Sequence, residues 1–115
     1  MILQIPVMRS PSFSYDLRLG GELLRIRLDW SETIKKWSIS FIQPATGEPI
    51  VSGITVSPFV PLLAGYEAYF PLLGGNLLAT SQDKTVLDRI GSSGISYEDI
   101  TLGVVGIFYY DGMGA

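Results

Sequence analysis

The chain has 115 residues, 47% of them hydrophobic and 17% charged, with no Cys and no His. Thiol catalysis, disulfides, zinc fingers and iron–sulfur ligation are thereby excluded, and the commonest general base and metal ligand is missing. A net charge of −3 and a pI near 4.7 argue against nucleic-acid binding, which usually needs a basic face. The length suits a single domain over residues 1–115, and surface scaling gives it about 6,200 Å² folded against about 18,300 Å² unfolded, enough for one core. The charged fraction falls below the usual value of about 25%. With a mean hydropathy of +0.34, too little polar surface remains to cover a small domain, and some apolar surface is expected to meet a partner. Charge is also uneven, +1 over residues 1–60 and −4 over 61–115.

The opening Met1-Ile-Leu-Gln-Ile-Pro lacks the basic and long apolar regions of a secretion leader. The longest uncharged stretch, Pro49–Tyr66, contains three prolines and two glycines and does not read as a membrane span.

Period two dominates the chain. In Ser12–Leu19, Phe13, Tyr15, Leu17 and Leu19 alternate with Ser12, Ser14, Asp16 and Arg18, which describes a half-buried strand. Gly20-Gly21 follows as a two-residue hairpin turn. Glu22–Trp30 then puts Leu24, Ile26, Leu28 and Trp30 on one face, and after a loop at Ser31–Lys35 the run Lys36–Ile42 turns Trp37, Ile39 and Phe41 inward. The three strands make an antiparallel meander. Turn chemistry at 44–49 leads into a β-branched run, Ile50–Val56. Ser57–Gly65 predicts a short helical or 3₁₀ segment, with Ser57 as cap and Pro58 at its first position. Tyr66–Phe70 and Asn76–Ser81 read as strands separated by a turn at 71–75. Gln82–Ser96 reads as a polar loop with a helical turn at Thr85–Ile90, and Ile100–Tyr110 as a strand apolar on both faces before a frayed Gly-Met-Gly-Ala tail. The pattern predicts an all-β fold, a small antiparallel β-sandwich or barrel with one short helical segment.

Candidate chemistry is sparse. Ser81-Gln-Asp-Lys84 has the Ser-x-x-Lys spacing of penicillin-binding enzymes but none of their other motifs, so it reads as a polar loop. Glu98 and Asp99 are adjacent and would point to opposite faces of a strand, while Asp83, Asp88 and Asp99 lack calcium-loop spacing. Arg25 and Arg27, near Lys35 and Lys36, are interleaved with acids and read as a salt-bridged surface. No catalytic, cofactor-binding or metal site is predicted. Trp30 and Trp37 suit the core of the meander. Tyr66, Tyr69, Phe70, Phe108, Tyr109 and Tyr110 exceed what one small core hides, which points to an interface.

The order of these features resembles the phage baseplate plug family, small proteins of contractile-tailed phages and related particles. The resemblance rests on the apolar Ile2–Val7, the alternating Phe13–Leu19, Leu24-Arg-Ile-Arg-Leu28 and Trp37-Ser-Ile-Ser-Phe41. It continues through Thr46-Gly-Glu-Pro49, Ile50-Val-Ser-Gly53-Ile54, Leu62-Leu63-Ala-Gly-Tyr66, Gly74-Gly75-Asn-Leu77 and Tyr97-Glu-Asp-Ile100 with its apolar sequel. It implies a non-enzymatic subunit of the virion, assembled in the host cytoplasm and placed in the tail baseplate near the tube end and spike hub. The partners it implies are other tail proteins (hub, spike, tube), met through strand edges and apolar loops in a homo- or hetero-oligomeric ring. No cofactor, nucleic acid or membrane is implied. The remaining readings are a tail-tube or tube-initiator ring protein and a small β-barrel binding an apolar or carbohydrate ligand. The expected interface segments are Pro58–Phe70 and Ile100–Tyr110, with Phe59, Leu62, Leu63, Tyr66, Phe108 and Tyr110 as contact residues.

Overall fold

The computed structural model describes residues 2–70 and 73–111. Its strands are β1 (Ile2–Gln4), β2 (Ser12–Leu19), β3 (Glu22–Ser31), β4 (Lys36–Ile42), β5 (Pro49–Thr55), β6 (Gly75–Thr80) and β7 (Gly106–Asp111). Two helices, α1 (Lys84–Ser93) and α2 (Tyr97–Thr101), lie between β6 and β7, and a 3₁₀ turn occupies Glu67–Tyr69. The strands form two antiparallel sheets, β2-β3-β4-β5 and β1-β7-β6, as expected for a small all-β fold.

The meander forms where the alternation places it. Tyr15 pairs with Ile26, Ile26 with Phe41 and Leu28 with Ile39, so the apolar positions of three strands fall on one face. Leu24, Ile26, Leu28, Trp37, Ile39 and Phe41 are all buried, and they join Leu77, Ala79, Ile107 and Tyr109 of the other sheet in one core cluster. The two-residue turn is built on Gly20, whose φ of +58° suits glycine. It is also a point of close approach: a Cβ there would lie 2.1 Å from the carbonyl oxygen of Leu73. The buried Tyr109 hydroxyl donates to that same oxygen, tying β7 to the turn region below it.

The second half of the chain departs from the expected elements in three places. Ser57–Gly65 forms no helix. Pro58 bridges Ala79, the Phe59 and Leu62 N–H groups donate to the carbonyls of Ala79 (3.2 Å) and Leu77 (2.8 Å), and Leu63 N–H donates to Asn76 Oδ1 at 2.9 Å. The donors a helix would use are spent on β6, and Pro58 and Pro61 have none to offer. Tyr66–Phe70 is not a strand, because Tyr66 N–H and Tyr69 N–H close tight turns onto Leu63 and Tyr66. Ile100–Tyr110 is not one strand either: its first residues end α2, and β7 starts only at Gly106.

A capping box explains that last difference. Ser96 Oγ accepts from Asp99 N–H and the Asp99 side chain accepts from Ser96 N–H, which starts a helix at Tyr97 that runs into the first residues read as strand. The expected helical turn at Thr85–Ile90 grows into the ten-residue α1, capped by Asp83, whose side chain accepts from Thr85 N–H at 2.8 Å. The expected frayed tail at 112–115 and residues 71–72 of the expected turn lie outside the described residues.

Candidate docking face

On β6 and β7, alternate residues take opposite roles. Leu77, Ala79, Ile107 and Tyr109 point inward and are fully buried, whereas Leu78, Thr80, Phe108 and Tyr110 point outward and are half-buried. The register sets Leu78 against Phe108, and Phe108 against Gln4 of β1 on its other side. Gly106 makes room for the outward ring of Phe108, since a Cβ there would come within 2.7 Å of it.

Phe59 forms the wall of this face. It takes the left-handed φ of +67°, which disfavours a bulky residue, and is 46% exposed. A ring atom of Phe59 sits 3.5 Å from where a Cβ on Gly91 of α1 would lie, so the ring stands between β6 and α1. Phe59 and Pro61 on one side and Leu78, Thr80, Phe108 and Tyr110 on the floor line a groove of about 530 Å³, with Gln82 also in its lining. Among the described residues, no charged side chain lines it. A second cavity of about 310 Å³ adjoins it across Phe108, Thr80 and Gln82, and runs past Asp83, Val104 and Gln4.

The outer face of the other sheet has the opposite character. Arg25 Nε donates to Asp16 at 2.7 Å, Arg27 Nε lies 3.0 Å from Asp29 Oδ2, and Ser12 Oγ donates to Asp29 at 2.7 Å. Lys35 pairs with Glu32 at 2.5 Å in the following turn, and that bond, with one from Trp30 Nε1, holds the Glu32 carboxyl below its ordinary range. This is the salt-bridged surface expected from the sequence.

Of the expected contact residues, Phe59, Phe108 and Tyr110 come together in the groove, although 49 residues separate Phe59 from Phe108. Leu62 and Leu63 do not belong with them. They are 4% and 1% exposed, because their N–H groups are held against β6 and their side chains fill the core, so they are corrected to packing residues. Tyr66 is exposed but outside the groove lining, tilted against Tyr69 at 6.5 Å. Leu78, Thr80 and Gln82 line the groove from outside the expected segments. The signal for Leu78 was present in Leu77-Leu78, which puts apolar residues on both faces of a strand.

Three of the groups weighed for catalysis hold structural positions in the fold. Ser81 Oγ accepts from Asp83 N–H, Asp83 caps α1, and Asp99 is buried in the capping box and on Arg89. Glu98 and Asp99 lie on a helix, not on a strand as expected. Among the described residues, no three His, Cys, Asp or Glu side chains gather as a metal ion would require. No helix among them is long and apolar enough to cross a membrane.

A family model described as cyanophage baseplate Pam3 plug gp18 matches residues 2–112. The chain belongs to this baseplate plug family. Membership gives it a structural role in a phage baseplate and a place in the tail of the virion, among other baseplate proteins. No curated protein matches the chain.

Proposed function

We propose that the chain is a plug or hub-proximal subunit of a contractile-tail baseplate, assembled in the host cytoplasm, that works through protein–protein contacts and performs no catalysis. Its partners are hub, spike or tube proteins, and it enters an oligomeric ring with them. One observation carries this reading. The outward face of β1-β7-β6 is apolar and uncharged at its groove, while the outward face of β2-β3-β4-β5 pairs its own charges. A subunit that keeps one face solvated and leaves the other apolar is built to be covered on one side.

The test is co-expression with the neighbouring tail proteins, followed by isolation of assembled particles. Phe59→Asp and Phe108→Asp should each leave a folded chain that no longer enters particles. Normal incorporation of both variants would sink the assignment of this face. A groove of about 530 Å³ also suits a small apolar ligand, the second reading. That reading requires a specific thermal shift on ligand addition to the isolated chain. A self-assembled hexamer of the isolated chain would favour a tube-initiator role instead.

A further inference from the structure

The groove has a size and a chemistry that restrict its occupant, given the assembly reading above. We propose that it receives one short segment of a neighbouring baseplate protein, which inserts uncharged apolar side chains between Phe59 and Phe108. The segment neither adds a strand to the sheet nor comes from a second copy of this chain.

The lining decides the chemistry. Phe59, Pro61, Leu78, Phe108 and Tyr110 offer rings and aliphatic carbons, with Thr80 and Gln82 as uncharged polar groups. A charged side chain inserted here would lose its water and find no counter-charge. The adjoining cavity leads past Asp83, an exposed carboxylate, so the chain leaving the groove on that side is polar or basic.

A stable dimer interface engages roughly 20–30 residues on each partner, and this groove, lined by seven, does not by itself amount to one. Its volume of about 530 Å³ fits the anchoring side chains of a single segment.

The backbone excludes strand addition at this face. β7 is already paired on both sides, by β1 and β6. The outer edge of β6 is taken by Phe59 N–H and Leu62 N–H, and β1 is only three residues long. The edges of the other sheet are blunted too, by Asp16 and Arg18 on β2 and by Pro49, register shifts and Gly53 at φ +72° on β5. A guest on the apolar face therefore binds through side chains.

Because the chain contains no Cys, single cysteines report on the groove without background. Thr80→Cys and Gln82→Cys, each coupled to benzophenone maleimide, are incorporated into particles, irradiated and mapped by mass spectrometry. Both positions should cross-link to one contiguous, uncharged apolar stretch of another protein, and a Ser52→Cys control on β5 should not. Unlabelled Thr80→Cys, which avoids the bulk of the probe, should react severalfold more slowly with N-ethylmaleimide in particles than in the isolated chain. The isolated chain should run as a monomer in light scattering. Cross-links within copies of this chain, cross-links scattered over several proteins, or an unchanged maleimide rate would each overturn the proposal and leave the baseplate role standing. Absence of the unmodified chain from particles would count instead against the assembly reading itself.

Discussion

Arg89 on α1 grips Asp99 on α2 as a fork, its two terminal nitrogens donating to the two carboxylate oxygens at 3.0 and 2.5 Å. Asp99 is 4% exposed and also accepts from Ser96 N–H at 2.8 Å, while the Ser96 carbonyl accepts from Trp37 Nε1 at 3.1 Å. One carboxylate thus joins both helices, and through Ser96 they reach the four-stranded sheet, where the Trp37 ring stacks on Tyr97 at 5.6 Å.

The first prediction concerns acid. Burial pushes the Asp99 carboxyl up, but the hydrogen bonds from Arg89 and Ser96 and the guanidinium charge outweigh it, and the net shift is downward from 3.8. A carboxyl with a folded value below its unfolded one stabilises the fold above the unfolded value. That contribution is lost as pH falls through the folded value. The melting temperature of the native chain should therefore drop more steeply below about pH 4 than that of Asp99→Asn, which keeps an acceptor but has no charge to lose. Asp99→Ala leaves Ser96 N–H without its partner and should cost about 2 kcal/mol at neutral pH by denaturant unfolding.

A second prediction separates two reasons for glycine. Gly20 and Gly47 both have positive φ, +58° and +75°, but only at Gly20 does a Cβ meet backbone, 2.1 Å from the Leu73 oxygen. At Gly47 nothing lies within 4 Å. Gly47→Ala should cost about 1 kcal/mol, the conformational penalty alone. Gly20→Ala adds displacement of the segment that holds Leu73 and the Tyr109 hydroxyl, and should cost at least about 3 kcal/mol. Equal melting temperatures for the two variants would show that the turn yields to the clash.

These two sites mark how far the sequence was readable. Gly20-Gly21 between two alternating runs is a local signal, and the meander it joins followed from period two alone. The close approach to Leu73 comes from 53 residues away and leaves no local trace. The second half was harder because its signals compete. Prolines at 58 and 61 suit a helix start, yet β6 takes the neighbouring donors; Ile100 suits a strand, yet Ser96 and Asp99 cap a helix across it. The docking face was half legible for the same reason. The excess of aromatics pointed to Phe108 and Tyr110, but hydropathy could not tell the outward Leu78 on β6 from the inward Leu62 and Leu63 held beside it.

That distinction gives a third prediction. Leu63→Ala removes a fully buried side chain and should lower stability by about 2–5 kcal/mol. Tyr66→Ala, three residues on, removes a ring that is exposed and tilted against Tyr69, and should change stability by less than about 0.5 kcal/mol. Unfolding curves of the two variants decide whether this stretch is divided into a packing half and a solvent half. Two similar losses would mean that the tyrosine pair also holds the connection in place.

The fourth prediction turns on strain at Phe59. A bulky residue at φ +67° carries a penalty of about 1–2 kcal/mol relative to glycine, and stability alone would have removed it. Its ring, 46% exposed, returns little by way of burial, and it comes close to α1 at Gly91. Phe59→Gly relieves the backbone, loses that contact, and gains about 0.5–1 kcal/mol of unfolded-state entropy to overcome. The terms nearly cancel, so Phe59→Gly should unfold within about 0.5 kcal/mol of the native chain. The same variant removes the wall of the groove and should enter particles poorly. A residue kept against its own backbone preference, dispensable for folding and needed for assembly, is a docking residue. A large loss of stability in Phe59→Gly would instead make the ring a core element, and the strain would then be the by-product of packing against α1.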